Sequence, residues 1–408
     1  MKSKLFFTTS LLGLLVFLAM PAQLTAQEGT GVQRQQPGTV HYTITDLGPL
    51  PGGTFSQASF VNNNGLASGV STVADGTQHA ALWYEGLTGD IGGLGGPNSA
   101  GGVVNDRGQV EGVAETSNLD PNNENFCDYF TGLDCLPFLW QDGVMTALPL
   151  LGGNNGVANE VNSRGEIVGA AENRTRDADC PSGPRVNGTG PQVLDFEAVI
   201  WEPKGRIRKL HPLLGDTVSM AFWINDKGQA VGFSGTCANT VIPPVSAGPH
   251  AVLWERDGSV HDLGSLGGTV DPSILGVGNA ALSINNRGEV VGASPLASNN
   301  INHAYLWTRK TGMQDIGTLP GDDTSVGLGI NNSGDVVGTS IAGTVATGSP
   351  RAFLWRKGAM NDLNDLISDS PLYLLFATGI NDAGDIAGFG VQIGGGEVHG
   401  FLASPRHR

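Results

Sequence analysis

Carboxylate side chains are concentrated in two stretches of this sequence, and four of them are candidates for binding a ligand. Asp128 and Asp134 lie in the first stretch, and Asp177 and Asp179 lie in the second. The same stretches contain Glu115, Asp120, Glu124, Glu172 and Asp195. Carboxylates bind calcium, and a pair of them can catalyse the cleavage of a sugar bond. A solvated acidic surface is the alternative interpretation. Because no D-x-D-x-D-G run is present, calcium has little support, and we predict neither a metal nor another cofactor.

The chain contains four cysteines, which we predict to form two disulfides. Their spacing does not resemble a zinc site, and an exported chain favours disulfides. We predict that Cys127 pairs with Cys135 and that Cys180 pairs with Cys237, which would join two long loops. A pair of Cys135 with Cys180 is the alternative, because four cysteines allow three connectivities.

Three short phrases recur in fixed order, seven times each, from residue 42 to the C-terminus. The first reads D-L-G-x-L-G-G, the second I-N-x-x-G-x-V-V-G and the third H-A-F-L-W. In the second phrase Asn begins a tight turn and Gly ends it, between apolar residues, which predicts a β-hairpin. The third phrase is apolar at successive positions and indicates a strand buried on both faces. The turn asparagines are Asn62, Asn105, Asn162, Asn225, Asn285, Asn331 and Asn381.

The histidine and tryptophan of the third phrase recur with the repeat, so we interpret them as structural residues. The histidine is kept at His79, His250, His303 and His399. The tryptophans are predicted to be buried, and Trp307→Ala should then cost about 3–5 kcal/mol of stability.

Each repeat holds about four short strands, and this content predicts a propeller. Successive turn asparagines lie 43, 57, 63, 60, 46 and 50 residues apart. Four strands in roughly 40–50 residues are typical of a propeller blade. The chain begins with a lone first-phrase strand, Tyr42 to Gly48, and ends on a third-phrase strand, His399 to Ala403. Pairing of these two strands would close the ring and remove its exposed edge.

We therefore predict an all-β, seven-bladed propeller with four-stranded antiparallel blades and a single domain over residues 41–403. The strand before each turn is predicted to be innermost. A linear β-solenoid is the alternative architecture, although its coils are shorter.

Just before the turn phrase, Glu160 and Trp223 stand where Ser283 and Gly329 stand in other copies. We expect these two residues to line the central channel next to the inserted loops, where an aromatic ring would suit sugar stacking; a packing adjustment is the alternative.

The connection between the second and third phrases is expanded in three neighbouring blades. It has 24 residues in blade 2 (113–136), 27 in blade 3 (170–196) and 17 in blade 4 (233–249), against about ten elsewhere. All four cysteines lie in these insertions. Because the three insertions occupy equivalent connections, they should gather on one face of the ring and form its binding surface. Neutral drift of a surface loop is the alternative.

Taken together, the three phrases resemble those of the HAF-repeat family, a group of predicted bacterial extracellular repeat proteins. The resemblance covers about residues 42–403 and is closest at residues 262–268, 284–292 and 303–307. Blades 2 to 4 depart from it, because Pro137 and Glu197 replace the histidine and Leu148 and Leu210 lie in eroded first phrases. The resemblance implies export and a propeller-like repeat, and it brings no catalytic residues.

The N-terminus has the pattern of a secretion signal. Lys2 and Lys4 precede an apolar stretch, and we predict a signal peptide over 1–26, with an uncleaved anchor as the alternative. Residues 27–40 are predicted to be a flexible lead-in and 404–408 a C-terminal tail. The protein is thus expected to be secreted or periplasmic, to be a monomer and not to insert into a membrane after cleavage. A formal net charge of -16 argues against nucleic acid as a partner.

Three functions are compatible with these observations. The leading hypothesis is an exported non-catalytic scaffold that recognises an extracellular glycan polymer or a protein through the loops of blades 2 to 4. The second is an extracellular glycoside hydrolase or lyase that uses loop carboxylates near the channel. The third is a structural component of the cell envelope. The sequence shows no Ser/His/Asp order, metal cluster or phosphate loop, so catalysis has less support than binding.

Overall fold

Seven four-stranded antiparallel sheets make up this protein, whose computed structural model describes residues 40–180, 192–240, 247–269, 278–297, 301–343 and 348–406. Each sheet forms one blade of a propeller, as predicted. The proposed signal peptide and nearly all of the lead-in lie outside the described residues. Among the described residues, no helix is long and apolar enough to cross a membrane.

The strands follow the chain order of the repeats. A single strand, β1 (Tyr42–Leu47), precedes the blades. Blades 1 to 3 consist of β2 (Ser56–Val61), β3 (Ala67–Thr72), β4 (Gln78–Tyr84) and β5 (Leu87–Asp90); β6 (Ser99–Val104), β7 (Val110–Leu119), β8 (Leu133–Gln141) and β9 (Val144–Ala147); and β10 (Gly156–Val161), β11 (Ile167–Arg176), β12 (Leu194–Trp201) and β13 (Ile207–Leu210). Blades 4 to 6 consist of β14 (Val218–Ile224), β15 (Ala230–Gly235), β16 (His250–Trp254) and β17 (Val260–Asp262); β18 (Ala280–Ile284), β19 (Val290–Pro295), β20 (Asn302–Thr308) and β21 (Gly312–Gly317); and β22 (Thr324–Ile330), β23 (Val336–Ala342), β24 (Ser349–Arg356) and β25 (Ala359–Asp362). Blade 7 contains β26 (Leu372–Ile380), β27 (Ile386–Gln392) and β28 (Val398–Pro405), and a short 3-10 helix, Leu363–Leu366, precedes it.

The two ends of the chain meet in blade 7, which confirms the predicted closure. Strand β1 pairs antiparallel with β28, with Tyr42 opposite Pro405 and Leu47 opposite Gly400. The last strand thus runs two residues beyond 403, the end predicted for the domain. Pairing of the first and last strands leaves no blade incomplete, so the ring has no open edge between its ends.

The strand before each turn is innermost, and each of these strands carries a β-bulge. The register shifts between Ala158 and Glu160 in β10 and between Ala221 and Trp223 in β14, and comparable shifts recur in the other five blades. A bulge bends a strand and turns a side chain in a new direction. Here it brings the residue two positions before the turn asparagine to the axis of the ring.

The repeated histidine pairs with the repeated aspartate of the first phrase. His303 Nδ1 lies 2.8 Å from Asp315 Oδ2 on the adjacent strand of blade 5. The same pair occurs at His79 and Asp90, His250 and Asp262, and His399 and Asp46. Blade 6 replaces it with Arg351 and Asp362, and blade 3 with Glu197 and Lys209, which reverses the two charges. These contacts explain why the first and third phrases occur together.

The tryptophans differ in burial between blades. Trp201 and Trp254 are fully buried, and each donates its ring N–H to a backbone carbonyl of the preceding connection. Trp307 is only partly buried. The loss of about 3–5 kcal/mol expected for truncating a fully buried tryptophan therefore applies to Trp254 rather than to Trp307.

Candidate functional site

The seven turn asparagines form a closed ring of hydrogen bonds around the axis. In six blades the Oδ1 accepts two backbone N–H groups of its own turn; for Asn225 these belong to Lys227 and Gln229. Asn381 Oδ1 accepts the Asp385 N–H. Each Nδ2 donates to the backbone carbonyl of the asparagine in the next blade, and the bond from Asn381 to Asn62 completes the circle at 3.0 Å. The other six bonds join Asn62 to Asn105, Asn105 to Asn162, Asn162 to Asn225, Asn225 to Asn285, Asn285 to Asn331 and Asn331 to Asn381.

The residues that follow these asparagines form a second ring at the rim. In six of the seven blades, the backbone N–H of this residue donates to an Asn or Asp side chain of the next blade, as Asn63 does to Asp106 Oδ1 at 2.8 Å. The exception among the described residues is Asp106, whose neighbour in blade 3 is Ser163. A serine side chain is too short to copy this contact, so the outer ring has one gap.

A pocket of about 260 Å³ lies inside the two rings. Its lining includes Phe60, Glu160 and Trp223, which stand at the bulged position of blades 1, 3 and 4. The Phe60 and Trp223 rings meet across the axis with their centroids 5.5 Å apart in an edge-to-face arrangement. Gly379 makes room for Phe60, because a Cβ there would lie 2.5 Å from the ring. The prediction that Glu160 and Trp223 line the channel is consistent with this placement.

Sequence reasoning missed Phe60 and the buried Glu111 beside this pocket. Phe60 occupies the same repeat position as Glu160 and Trp223, so an alignment of all seven copies at that position would have found it. Glu111 stands in β7 at the second V of the V-V-G in the second phrase, so its departure from the repeat could also have been found by alignment. Its Oε1 accepts the Val103 N–H at 2.6 Å, and burial raises its pKa to about 8.

Glu160 is a buried acid whose second oxygen has no partner. Glu160 is only 5% exposed, and its Oε2 makes no hydrogen bond. Burial, and then the nearby carboxyls of Glu111 and Asp226, raise the pKa of Glu160 well above its usual range. Asp226, at the rim of the pocket, has a lowered pKa. Burial raises its pKa, but hydrogen bonds from Ser163 and Asn286 have the larger combined effect and lower it.

The pocket lies on the face opposite the insertions, so the expectation that Glu160 and Trp223 adjoin the inserted loops is wrong. The turn that follows β10 is at one end of blade 3, and β11 carries the chain across to the other end before the insertion begins. Antiparallel strands alternate in direction, so successive connections fall on opposite faces. We call the two surfaces the turn face and the insertion face.

The insertion face holds two disulfides, with the predicted pairing. Cys127 and Cys135 close the blade 2 insertion, with Cα atoms 6.2 Å apart. Cys180 and Cys237 join the insertions of blades 3 and 4, with Cα atoms 4.8 Å apart. The cysteines pack in one apolar cluster with aromatic side chains of the three blades, namely Phe126, Phe196, Phe222 and Phe233. The three insertions therefore share a core and form one body.

Most carboxylates of the insertions are buried, which contradicts the interpretation of a solvated acidic surface. Glu172 Oε2 accepts from the backbone N–H groups of Asn154 and Asn155, and its Oε1 accepts from Gln192. Gln192 also donates to Glu124 Oε1 at 3.2 Å. Hydrogen-bond donors offset the free-energy cost of burying these acids. Here the hydrogen bonds also connect neighbouring insertions.

The four predicted binding aspartates fall into different environments. Asp128 is buried and accepts from Asn125 at 3.0 Å, and burial raises its pKa to about 7. Asp134 is half-buried, and burial, together with the charge of Asp120, raises its pKa to about 6. Asp177 is half-buried and accepts the Thr217 hydroxyl, whereas Asp179 is exposed. The structure therefore does not gather the four aspartates into one site.

Asp177, Cys180 and Asp195 are the one group of potential metal ligands that lies close together among the described residues, with ligand atoms within 4.8 Å. The Cys180 sulfur is bonded to Cys237 and is not a free thiolate. The two carboxyls lie close, and burial and then Asp177 raise the pKa of Asp195 to about 7. This favours a shared proton between two acids over a metal site.

The blade 2 insertion concentrates unusual backbone conformations. Asn123, Asp128 and Phe130 have φ angles of 55°, 60° and 58°, in the left-handed region. This region is uncommon for residues other than glycine and is an outlier for a bulky side chain. Phe130 is nonetheless 50% exposed, and its N–H donates to Asn125 Oδ1 at 2.8 Å. The loop thus holds an aromatic ring at the surface in a strained conformation.

Comparisons with known proteins add nothing about function. No protein-family model and no curated protein matches the chain. Among solved structures it is similar to virginiamycin B lyase from Staphylococcus aureus, with 10% identity over 89% of this chain and 99% of that one and a TM-score of 0.48. An oligogalacturonate lyase in complex with manganese is also similar, with 10% identity over 90% and 97% of the two chains and a TM-score of 0.49. A puromycin hydrolase shares 12% identity over 84% of this chain and 51% of its own, with a TM-score of 0.48.

Proposed function

We propose that this protein is an exported, non-catalytic binding scaffold and that it recognises an extracellular glycan polymer through its insertion face. Propeller architecture and two disulfides support a rigid extracellular protein. The insertions of blades 2 to 4 depart from the repeat, share one core and stand on one face. Expanded loops on a regular scaffold are where repeat proteins place their binding surfaces.

The observation that carries this proposal is the exposed Phe130 on a stapled, strained loop. A left-handed conformation costs an ordinary residue about 1–2 kcal/mol. The Cys127–Cys135 disulfide flanks this strain and limits relaxation of the loop. The Phe130 ring is 50% exposed, so part of its surface is accessible to a ligand.

The chemistry around Phe130 favours a sugar. An aromatic face packs against the C–H groups of a sugar ring, and neutral amides and hydroxyls can satisfy its hydroxyl groups. Exposed neutral side chains of the same insertion are Ser117, Asn118, Asn123 and Thr131. The neighbouring acids Glu124 and Asp128 are buried, so they do not surround the ring with charge. A protein ligand is the other candidate that the sequence leaves open.

A glycoside hydrolase or lyase is the second candidate function, and Asp134 is the observation in its favour. A half-buried carboxyl with a pKa of about 6 suits a general acid. Such chemistry also needs a second carboxylate at a suitable distance. Asp120, the acid that influences Asp134, instead has its carboxylate engaged by Asn122 and Asn155, which favours a structural role.

A glycan array probed with the purified protein tests the binding function. Phe130→Ala should weaken binding to any glycan found by about tenfold or more, because stacking of an aromatic ring is lost. The matched control is Tyr84→Ala, since Tyr84 is 44% exposed but lies at a hairpin on the turn face. Equal binding by the Phe130 variant, or equal loss in both variants, would contradict the proposal.

A polysaccharide-degradation assay on the same protein separates binding from catalysis. We expect no product release. Release that disappears in Asp134→Asn but persists in Asp369→Asn, a control in a loop of blade 7, would establish the enzyme instead. Thermal melts of both variants would show whether a loss of activity reflects unfolding.

A further inference from the structure

The pocket on the turn face has no role in the function proposed for the insertion face. It lies away from the insertions and is not part of the proposed glycan-binding surface. Its floor carries Glu160, which is only 5% exposed and whose Oε2 has no hydrogen-bond partner. A buried polar atom without a partner costs free energy in the empty protein.

The pocket is acidic and contains no compensating base. Asp106, Asp226 and Asp382 stand at its rim, and Glu160 stands on its floor. Among the described residues that line it, none is a Lys, Arg or His. A concave site lined by one sign of charge concentrates ions of the opposite sign. The acidic lining of the pocket therefore favours a cation as its ligand.

The rim carboxylates are not available as ligands for a bare metal ion. Both oxygens of Asp106 accept bonds from Asn63, and both oxygens of Asp382 accept bonds from Asn332. Asp226 is engaged by Ser163 and Asn286 in the same way. A divalent ion needs several free oxygens at short distance to replace its water. These acids can instead supply negative charge at a distance.

The aromatic pair on the floor narrows the class of cation. Trp223 is partly exposed and meets Phe60 edge to face. The face of a tryptophan attracts an ammonium group, and such contacts contribute about 0.5–2 kcal/mol. A carboxyl next to an aromatic ring provides both an ion pair and an apolar contact for the carbon atoms that an organic ammonium carries.

We propose that the turn-face pocket binds a small organic ammonium ion, with its charged nitrogen between Glu160 and the Trp223 ring and below the rim of three aspartates. A cavity of about 260 Å³ accommodates a ligand of only a few carbon atoms. The ammonium would give the unpaired Glu160 oxygen its missing partner. The Asn rings hold the rim in place, so the pocket is formed before the ligand arrives.

Calorimetric titration with tetramethylammonium and with n-butylammonium chloride tests this proposal. We expect saturable binding of at least one of them with one site per chain. Neopentyl alcohol, a neutral compound of similar shape to tetramethylammonium, should not bind. Calcium chloride provides the metal arm: a calcium ion that binds at this pocket in place of either ammonium would overturn the proposal.

Two substitutions test whether the ammonium ion binds in this pocket, and a third tests whether loss of an acid elsewhere on the same face has the same effect. Glu160→Gln keeps the shape and removes the carboxyl that a bound ammonium would ionise and pair with, and Trp223→Leu removes the aromatic face; each should weaken ammonium binding about tenfold. Glu85→Gln should leave binding unchanged, because Glu85 is an exposed acid at an outer hairpin of the same face. Should Trp223→Leu fail to fold, Glu160→Gln still decides the question. Wild-type protein that binds neither ammonium, or a Glu160→Gln variant that binds as tightly as wild type, sinks the proposal.

Discussion

The two faces of this ring are stabilised in different ways. On the turn face, one residue type at one repeat position makes the same hydrogen bond in all seven blades. On the insertion face, stability comes from residues that occur once each, such as Glu172, Gln192 and the four cysteines. The repeat therefore encodes the scaffold, and departures from it mark the places where one blade differs in role from its neighbours.

Removal of the disulfide between insertions should produce the largest effect. Cys180→Ser combined with Cys237→Ser opens a loop with a sequence separation of 57, which lowers stability by about 4 kcal/mol on the chain-entropy estimate. The matched pair Cys127→Ser and Cys135→Ser, with a separation of 8, should cost less. Urea unfolding under oxidising conditions measures both losses. If the shorter disulfide mattered more, loop closure would not be the main role of these bonds.

Truncation of one ring asparagine should affect the turn face almost as strongly. Asn285→Ala removes two acceptor contacts within its own turn and the donor to Asn331, which leaves buried backbone groups unpaired. We expect a loss of about 3 kcal/mol in the free energy of unfolding. The half-buried rim neighbour is the control, and Asn286→Ala should cost about 1 kcal/mol. Equal losses would mean that the inner ring has no special importance.

Asp128 on the insertion face and Asp226 on the turn face should affect stability in opposite directions as pH changes. The folded-state pKa of Asp128 is raised to about 7, so its contribution is present near pH 4 and is lost as pH rises to 7. The pKa of Asp226 is lowered, so its contribution is present above about pH 4 and is lost as pH falls. Stability measured from pH 3 to 8 should therefore change less steeply above pH 4 in Asp128→Asn and below pH 4 in Asp226→Asn. Curves that stay parallel to wild type would contradict both assignments.

The smallest effect should come from repair of the outer ring. Ser163→Asn would supply the acceptor that the Asp106 N–H lacks, in the way that Asn286 accepts from Asp226. We expect a gain of about 0.5–1 kcal/mol, which a thermal melt can measure. Ser163→Ala is the control and should show no gain. A destabilised Ser163→Asn variant would mean that the gap relieves crowding at blade 3.

Features set by the repeat could be predicted from the sequence. Blade number, strand count and the pairing of Tyr42 with the C-terminal strand all follow from the order of the phrases. The disulfides followed because Cys180 and Cys237 lie in equivalent insertions of adjacent blades. The role of His303 could be narrowed to structure but not to a partner, because Asp315 is reached only across neighbouring strands.

Features that depend on single residues could not be predicted. Burial of Glu124 and Glu172 requires the three-dimensional meeting of two insertions, which no local pattern describes. The contact of Phe60 with Trp223 joins blades 1 and 4 across the axis, and its two positions are far apart in the chain. The position of Glu160 in the channel could be predicted, but the end at which it lies depends on the directions of β10 and β11 through the blade.

Blade 7 takes its outer strand from the start of the chain and its other three strands from the end. During synthesis, β1 must wait for the final residues before it can find its partner in β28. The ring therefore closes only after β28 has been made, although each of blades 1 to 6 is formed from four consecutive strands that precede it.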